Sequence, residues 1–306
     1  MKDIYENLCR LCGAENVKKD EPLSAHTTFR IGGPADFFVS AAAEKQLAEG
    51  TAFCRRKGIP FFVLGNGSNI LAGDRGFRGV IFCTCRTMSD LTMREEGDML
   101  LAEAGAGILL GRLAAEVAAR SFTGMEFASG IPGTLGGAVV MNAGAYDGEI
   151  SGIVCSARVM DPQGRIREVD NADLHFGYRH SLLMEEEGIV LSARLSFRRG
   201  RQEEIGARMA DLAGRRRQKQ PLEYPSAGST FKRPAGFFAA KLIQDCGLKG
   251  YRVGDAMVSD KHSGFVVNVG SATADQVRSV MAHVQETVMD KTGVMLEPEV
   301  KLIGEF

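Results

Sequence analysis

The stretch Gly65-Asn-Gly-Ser-Asn-Ile-Leu71 decides the fold class, together with a second glycine-rich stretch, Gly130-Ile-Pro-Gly-Thr-Leu-Gly-Gly-Ala-Val-Val-Met-Asn-Ala-Gly144. Glycine adopts positive φ angles and lets backbone N–H groups come close to a ligand, so such loops form concave nests that suit phosphate oxygens. The first loop follows Pro60-Phe-Phe-Val-Leu64, which has the composition of a buried strand. Ligands of α/β units usually bind at the carboxyl ends of such strands. The two loops therefore predict an α/β protein that binds one cofactor carrying a diphosphate.

Other nucleotide-binding motifs fit this chain poorly. It contains no G-x-x-x-x-G-K-[ST] motif, and the second loop has no lysine to reach a β- or γ-phosphate, which argues against a triphosphate site. Gly105-Ala-Gly107 with Gly111 is the nearest approach to a dinucleotide fingerprint, but its third glycine is one residue late. We interpret it as a tight turn from a strand to a helix.

Composition indicates a soluble globular enzyme. The chain has 306 residues, of which 44% are hydrophobic and 25% are charged. The 37 basic and 38 acidic residues leave a net charge of -1, so no global field favours nucleic acid or an anionic membrane. The amino terminus is polar and acidic, and no apolar run is long enough to span a membrane. Seven scattered cysteines do not suggest a disulfide framework, and we expect a cytoplasmic protein.

The cysteine and histidine spacings do not indicate a chemical site. Cys9-x-x-Cys12 lies in an amphipathic helical pattern, and Cys83-Thr-Cys85 in a strand-like one, so we interpret them as core residues and expect no metal site. His180 and His262 have no partner spacing for a metal or a nucleophile, which leaves them as structural or substrate-side residues.

The patterns divide the chain into three segments: 1–90, 91–200 and 201–306. Predicted elements are strands at 35–39, 60–64, 79–82, 99–104, 152–160, 165–169, 189–197, 264–269 and 294–303, and helices over 44–57, from 110, from 201, around 238–243 and from 273. Asp161-Pro-Gln-Gly164 has the pattern of a type I turn, and Thr273 with Gln276 forms a capping-box pattern. Arg215-Arg-Arg217 either binds phosphate or is a solvated cluster at a helix end, and both interpretations stay open.

Taken together, the motifs closely resemble the UDP-N-acetylenolpyruvoylglucosamine reductase family, in order and over nearly the whole chain. The resemblance rests on these stretches: Thr27-Thr-Phe-Arg-Ile-Gly-Gly33, Gly65–Leu71, Glu126–Gly137, Met141-Asn-Ala-Gly-Ala145, Gly177-Tyr-Arg-His-Ser181, Ser226-Ala-Gly-Ser-Thr-Phe-Lys232 and Leu296-Glu-Pro-Glu-Val-Lys301. It implies an α/β (α+β) fold with a two-segment FAD-binding domain of the vanillyl-alcohol-oxidase (PCMH) type, formed by 1–90 and 91–200. A C-terminal α/β domain over 201–306 would bind the substrate.

The resemblance also implies an activity and a set of site residues. The activity is NADPH-dependent reduction of an enolpyruvyl UDP-sugar through non-covalent FAD, a step of peptidoglycan precursor synthesis. Arg179, Ser229 and Glu299 would be catalytic: Ser229 as proton donor to carbon, with Arg179 and Glu299 at the substrate carboxylate. Tyr178, Lys219, Lys232 and Arg233 would bind substrate. Cofactor-binding residues would be Arg30, Gly65, Asn66, Gly67, Ser68, Asn69, Gly130, Ile131, Pro132, Gly133, Gly136, Gly137, Asn142 and Gly144.

This chain departs from the longer family members in ways that place it in the shorter subclass. They carry an asparagine where this chain has Arg233, and they have an extra tyrosine-bearing loop for which 306 residues leave little room. The expected partners are the UDP-sugar and NADPH, without nucleic acid or membrane, and a monomer is favoured. Two alternatives remain: another FAD-dependent oxidoreductase of the same fold, or a non-catalytic nucleotide-sugar binding protein.

Overall fold

A computed structural model describes residues 2–306. The chain folds into two compact units, and each unit is assembled from separate stretches of sequence. The first unit contains the residues up to Lys18, Phe37–Asn66 and Val80–Arg215. The second contains Lys19–Asp36, Gly67–Gly79 and Arg216–Phe306. The linear segments 1–90, 91–200 and 201–306 divide the chain by function, and that division stays a prediction.

Helices and strands alternate along the chain, which confirms the mixed α/β class. The helices are α1 Lys2–Cys12, α2 Glu44–Lys57, α3 Leu110–Ala119, α4 Leu135–Val140, α5 Leu182–Glu185, α6 Gln202–Lys219, α7 Ala239–Asp245 and α8 Ala274–Thr292. The strands are β1 Val17–Pro22, β2 Pro34–Ser40, β3 Phe61–Leu64, β4 Ile70–Ala72, β5 Phe77–Cys83, β6 Leu91–Glu96, β7 Met99–Gly105, β8 Phe122–Thr123, β9 Gly144–Ala145, β10 Gly148–Glu149, β11 Val154–Met160, β12 Ile166–Asp170, β13 Ile189–Arg199, β14 Arg252–Val253, β15 Ala256–Val258, β16 Val266–Asn268 and β17 Lys301–Ile303. No helix within residues 2–306 is long and apolar enough to cross a membrane.

The first unit is built around an antiparallel sheet with strand order β12-β11-β13-β7-β6, to which β8 adds by pairing with β13. Helices α3 and α4 contribute Leu110, Leu113 and Leu135 to the apolar core on this sheet. A smaller sheet has the order β1-β2-β5-β3, in which β3 and β5 run parallel with Phe61 opposite Val80. The first glycine loop therefore leaves the carboxyl end of a parallel strand, as the sequence predicts.

The second unit packs α7 and α8 with the three-stranded antiparallel sheet β14-β15-β16. Five residues of α8 recur at helical spacing on one buried face: Val277, Val280, Met281, Val284 and Val288. Strand β17 runs parallel to β4, with Lys301 opposite Ile70. This pairing fixes the end of the first glycine loop to the last strand of the chain.

Local sequence signals are confirmed where they depend on close neighbours. Helix α2 covers 44–57 and ends at Gly58 in the left-handed conformation, with φ 64°. The capping box at Thr273 forms with Gln276 at the start of α8. The Asp161–Gly164 turn closes with a 2.9 Å bond from Gly164 N–H to the Asp161 carbonyl, and β11 and β12 form the expected hairpin.

Two predicted strands are too long. The strand predicted at 264–269 covers only Val266–Asn268, and the closing strand predicted at 294–303 covers only Lys301–Ile303. Leu296 is buried as an apolar strand residue would be, but the backbone before β17 bonds to the segment around Thr230 instead of continuing a sheet. Alternation of apolar residues cannot distinguish a strand within a sheet from an extended segment that bonds to a loop, because both have one buried face.

Candidate active site

The first glycine loop presents a row of backbone donors. Gly67 adopts φ 60°, and a Cβ at this position would lie 2.2 Å from the His26 carbonyl oxygen, so only glycine fits. Among residues 2–306, no acceptor takes the amides of Gly65, Asn66, Gly67 and Ser68. Backbone amides of buried or half-buried loops are normally paired, and a run of unpaired ones is a typical anion-binding arrangement.

The second glycine loop contacts the first within the same unit. Asn66 Nδ2 donates a 2.6 Å hydrogen bond to the Pro132 carbonyl. A Cβ at Gly65 would lie 2.3 Å from Thr134 Oγ1, and this hydroxyl is buried without a hydrogen-bond partner in the described chain. An orphaned buried hydroxyl between two glycine loops marks a place where a polar ligand would complete the bonding. The residues present therefore fit the diphosphate of a dinucleotide cofactor.

The turn at Gly105–Gly107 supports the second loop. The amides of Leu135 and Gly136 donate to the carbonyls of Ile108 and Ala106 at 2.9 and 2.8 Å. A Cβ at Gly136 would lie 2.8 Å from the Ala106 Cβ, so the close approach needs a glycine. The interpretation of this stretch as a tight strand-to-helix turn is confirmed, since β7 ends at Gly105 and α3 begins at Leu110.

Arg179 stands at the tip of a tight turn that is fixed to the second loop. Gly177 and His180 exchange backbone bonds of 3.0 and 3.2 Å, which leaves Tyr178 and Arg179 at the tip. The buried Asn142 donates through Nδ2 to the Gly177 carbonyl at 2.9 Å, and Arg179 Nη2 donates to the Gly144 carbonyl at 2.9 Å. Predicted cofactor residues therefore hold the predicted catalytic arginine.

Three of the predicted site residues have left-handed backbones. Arg30, Asn142 and Arg179 have φ angles of 55°, 44° and 53°. Such a conformation costs about 1–2 kcal/mol for each arginine, whereas asparagine tolerates it, and the strained arginines persist where the surrounding structure imposes the conformation. Backbone strain of this kind is concentrated at functional sites.

Backbone pairing brings Ser229 and Glu299 together in the second unit. Glu299 N–H donates to the Thr230 carbonyl at 2.8 Å, and Lys232 N–H donates to the Glu297 carbonyl at 2.8 Å. Ser229 immediately precedes Thr230 and is exposed, whereas Thr230 is buried. The two predicted catalytic residues are therefore neighbours although seventy positions separate them in sequence.

The first glycine loop also reaches this pair. Asn69 Nδ2 donates to the Glu299 carbonyl at 2.9 Å, and Lys301 N–H donates to the Asn69 carbonyl at 3.0 Å. Thr28 belongs to the stretch that contains Arg30. Its hydroxyl donates a 2.6 Å hydrogen bond to the Ser226 carbonyl. Predicted cofactor and catalytic residues thus share one bonded framework in this unit.

The remaining predicted substrate residues lie at the surface of the second unit. Lys219 is the last residue of α6 and is exposed. Lys232 Nζ is bonded to Glu297 Oε1, and the Arg233 guanidinium lies over the Phe238 ring at 3.9 Å from its centroid. Glu297, Phe238 and Thr134 were not predicted as site residues. Glu297 and Thr134 stand inside the motifs quoted above, but only the folded contacts distinguish them from their neighbours.

Burial shifts the pKa of one histidine and of several cysteines. Burial lowers the pKa of His262, and the charges of Lys249 and Lys219 lower it further. Burial raises the pKa of three buried thiols, to about 11 for Cys12 and Cys83 and about 12 for Cys54. These thiols stay protonated near neutral pH and are poor nucleophiles. In the described chain, no group of three His, Cys, Asp or Glu side chains could hold a metal ion.

Comparison with known proteins identifies the family of the chain and a related fold. The FAD binding domain family matches residues 35–170, and the C-terminal domain of UDP-N-acetylenolpyruvoylglucosamine reductase matches residues 220–303. The UDP-N-acetylenolpyruvoylglucosamine reductase of Agathobacter rectalis is 48% identical over 100% of this chain and 98% of its own length. The crystal structure of the reductase from Thermus caldophilus superposes with a TM-score of 0.78 at 36% identity, covering 94% of this chain and 98% of its own.

A more distant structure shares the fold alone. The 4-ethylphenol oxidase of Gulosibacter chungangensis superposes with a TM-score of 0.51 at 13% identity, over 97% of this chain and 64% of that one. Together, the matched FAD domain and the loops that suit a diphosphate define the protein as an FAD-dependent oxidoreductase. The chain belongs to the UDP-N-acetylenolpyruvoylglucosamine reductase family. The predicted family, fold class and cofactor are confirmed, and the roles of individual site residues stay predictions.

Proposed function

We propose that this protein reduces the enolpyruvyl group of UDP-N-acetylenolpyruvoylglucosamine to give UDP-N-acetylmuramate, with electrons from NADPH, in peptidoglycan precursor synthesis. The observation that carries the proposal is the 48% identity over the whole chain to a reductase of that name. The contacts around the predicted catalytic residues support it. Arg179 Nη2 donates to the Gly144 carbonyl, and the Glu299 carbonyl accepts from Asn69 Nδ2. Ser229 precedes Thr230, whose carbonyl accepts from Glu299 N–H.

The residues of this chain suit the chemistry. FAD, when bound, supplies electron transfer from NADPH to the enolpyruvyl group. The reduction places negative charge on the carbon beside the substrate carboxylate, and a fixed cation there lowers the barrier. The Arg179 guanidinium is a planar fork that matches a carboxylate, and its bond to the Gly144 carbonyl orients it before substrate arrives.

Ser229 is proposed to give its hydroxyl proton to that carbon. Its exposed position leaves the hydroxyl accessible to substrate, and the buried Thr230 fixes the backbone behind it. Thr230 is held by a 2.8 Å bond from its N–H to the Gly264 carbonyl and a 3.0 Å bond from Val266 N–H to its Oγ1. Glu299 is proposed to polarise the substrate carboxylate from the neighbouring backbone segment.

Three further assignments belong to the proposal. Segments 1–90 and 91–200 would hold FAD and segment 201–306 the substrate, which the family matches at 35–170 and 220–303 support. A cytoplasmic location is supported by seven free cysteines. A monomer is the favoured state in solution.

Anaerobic spectroscopy tests the function directly. NADPH should bleach the flavin absorbance of the purified protein, and the enolpyruvyl UDP-sugar should restore it. UDP-N-acetylglucosamine, which lacks the enolpyruvyl group, serves as the matched control and should leave the flavin reduced. The flavin released by heat should be FAD. A flavin that NADPH does not reduce, or that the enolpyruvyl sugar does not reoxidise, would contradict the proposal.

A further inference from the structure

A cleft in the second unit is lined by neither glycine loop and by none of the three predicted catalytic residues. It has a volume of about 530 Å³, and its wall consists of residues within 24–33, 224–225 and 268–273, together with Asp74. Among the predicted site residues, all of which lie within 2–306, only Arg30 lines it. A cleft of this volume is large enough for a small metabolite.

Several hydrogen-bond donors of the residues that line this cleft have no acceptor. The amides of Ile31 and Gly32 are unpaired among residues 2–306, although Ile31 is buried. Within the same described range, the Arg30 guanidinium and the Tyr224 hydroxyl form no ion pair and no hydrogen bond. Because backbone amides of buried residues are normally paired, these donors mark a place where a ligand would complete the bonding.

The carboxylate and amide acceptors on the same wall are already engaged. Asn268 Oδ1 accepts from two backbone amides of its own loop, at 3.1 and 3.0 Å. The two carboxylate oxygens of Asp74 accept from the first two amides of α8, at 2.7 and 3.0 Å, so its charge is turned toward the positive end of that helix. The Ile31 carbonyl accepts from the Thr27 hydroxyl at 3.0 Å, and the Pro225 carbonyl accepts from Asn268 N–H at 2.9 Å. The cleft therefore offers free donors beside occupied acceptors.

We infer that this cleft binds a phosphate group, either free or esterified to a small molecule, with the Arg30 guanidinium and the amides of Ile31 and Gly32 as donors. A wall with free donors and occupied acceptors favours a ligand that accepts hydrogen bonds without donating them, and a phosphate dianion is such a ligand. The planar fork of arginine matches phosphate oxygens, and consecutive free amides add neutral donors to it. The inference goes beyond the proposed function, because it gives Arg30 a ligand other than the cofactor.

Calorimetric titration of the FAD-loaded enzyme with inorganic phosphate tests the site. Arg30→Gln keeps hydrogen-bonding capacity but removes the charge, and we expect it to weaken phosphate binding about 10- to 100-fold while the protein keeps its FAD. Tyr224→Phe removes one hydroxyl and should weaken binding about 2- to 10-fold. Arg75→Gln is the matched control, because Arg75 is an exposed arginine of the same unit that does not line the cleft. Glycerol phosphate as a second probe separates the two sources: tighter binding than inorganic phosphate indicates an ester, and equal binding indicates the free ion.

The outcomes separate this cleft from the other residues that could bind phosphate. A wild-type enzyme that does not bind inorganic phosphate at millimolar concentration, or an equal loss in Arg75→Gln, would overturn the inference. So would a loss of binding in Lys219→Gln without one in Arg30→Gln, which would place the phosphate at a predicted substrate residue, or a loss of FAD from Arg30→Gln, which would place the guanidinium at the cofactor. Weakened phosphate binding in Arg30→Gln and Tyr224→Phe, with wild-type thermal stability, would establish the site. None of these measurements depends on flavin reoxidation, which tests the proposed function.

Discussion

Gly67→Ala tests whether the first glycine loop needs its glycine for close approach as well as for conformation. An alanine at φ 60° costs about 1–2 kcal/mol in left-handed strain. Its Cβ would also lie 2.2 Å from the His26 carbonyl oxygen and 2.8 Å from the Thr27 Cα. These are backbone atoms, and overpacking against them costs a further ~1–3 kcal/mol. We therefore expect a loss of about 2–5 kcal/mol of folding free energy and a large drop in bound FAD.

Gly97→Ala is the matched control for this prediction. Gly97 has φ 59°, and a Cβ there would meet no atom within 4 Å, so the variant carries the same strain without the overlap. At roughly 2–4 °C per kcal/mol, the additional ~1–3 kcal/mol means that Gly67→Ala should unfold about 2–12 °C below Gly97→Ala in thermal scans of the flavin-loaded proteins. Flavin occupancy, measured from the ratio of visible to ultraviolet absorbance, should fall only in Gly67→Ala. Equal midpoints and equal occupancy in the two variants would refute the argument from close approach.

Three other experiments test the remaining assignments. Ser229→Ala should leave flavin reduction by NADPH intact and slow flavin reoxidation by the enolpyruvyl UDP-sugar by about 10²- to 10⁴-fold, since only the second step needs carbon protonation. Equal losses of rate in both steps would make Ser229 a positioning residue. Arg179→Lys and Glu299→Gln should slow flavin reoxidation, measured by stopped flow, far more than they weaken substrate binding, measured by equilibrium titration. The reason is that lysine lacks the planar fork of arginine and glutamine lacks the titrating proton of glutamate. Lost affinity at an unchanged reoxidation rate would make both residues binding groups. An aromatic disulfide reagent at pH 8 should label the exposed Cys155 in the folded protein. The buried thiols of Cys12, Cys54 and Cys83 should react only after denaturation, because their raised pKa keeps them protonated. Rapid labelling of all seven cysteines would show that the core is open.

Resemblance of the motifs gave the family and cofactor, but the geometry of the site came from contacts between distant residues. Asn142 illustrates the difference, because it is one letter of the second glycine loop in the sequence. In the folded chain it is buried, has φ 44°, and donates to the Gly177 carbonyl behind Arg179. Similarly, Lys232 is a plausible free cation in the sequence, whereas the structure bonds it to Glu297.

The sequence by itself determined the features that depend on residues within a few positions of one another. The end of α2 at Gly58, the capping box of Thr273 and Gln276, and the turn at Asp161–Gly164 follow from dihedral preferences and short-range hydrogen bonds. Only the tertiary structure decided that Asn66 bonds to Pro132, and that the chain before β17 pairs with the segment around Thr230. Apolar periodicity reports which face of a segment is buried but does not specify which distant segment covers it. The two units combine stretches that are far apart in sequence, so the partners of each loop became known only when the chain was folded.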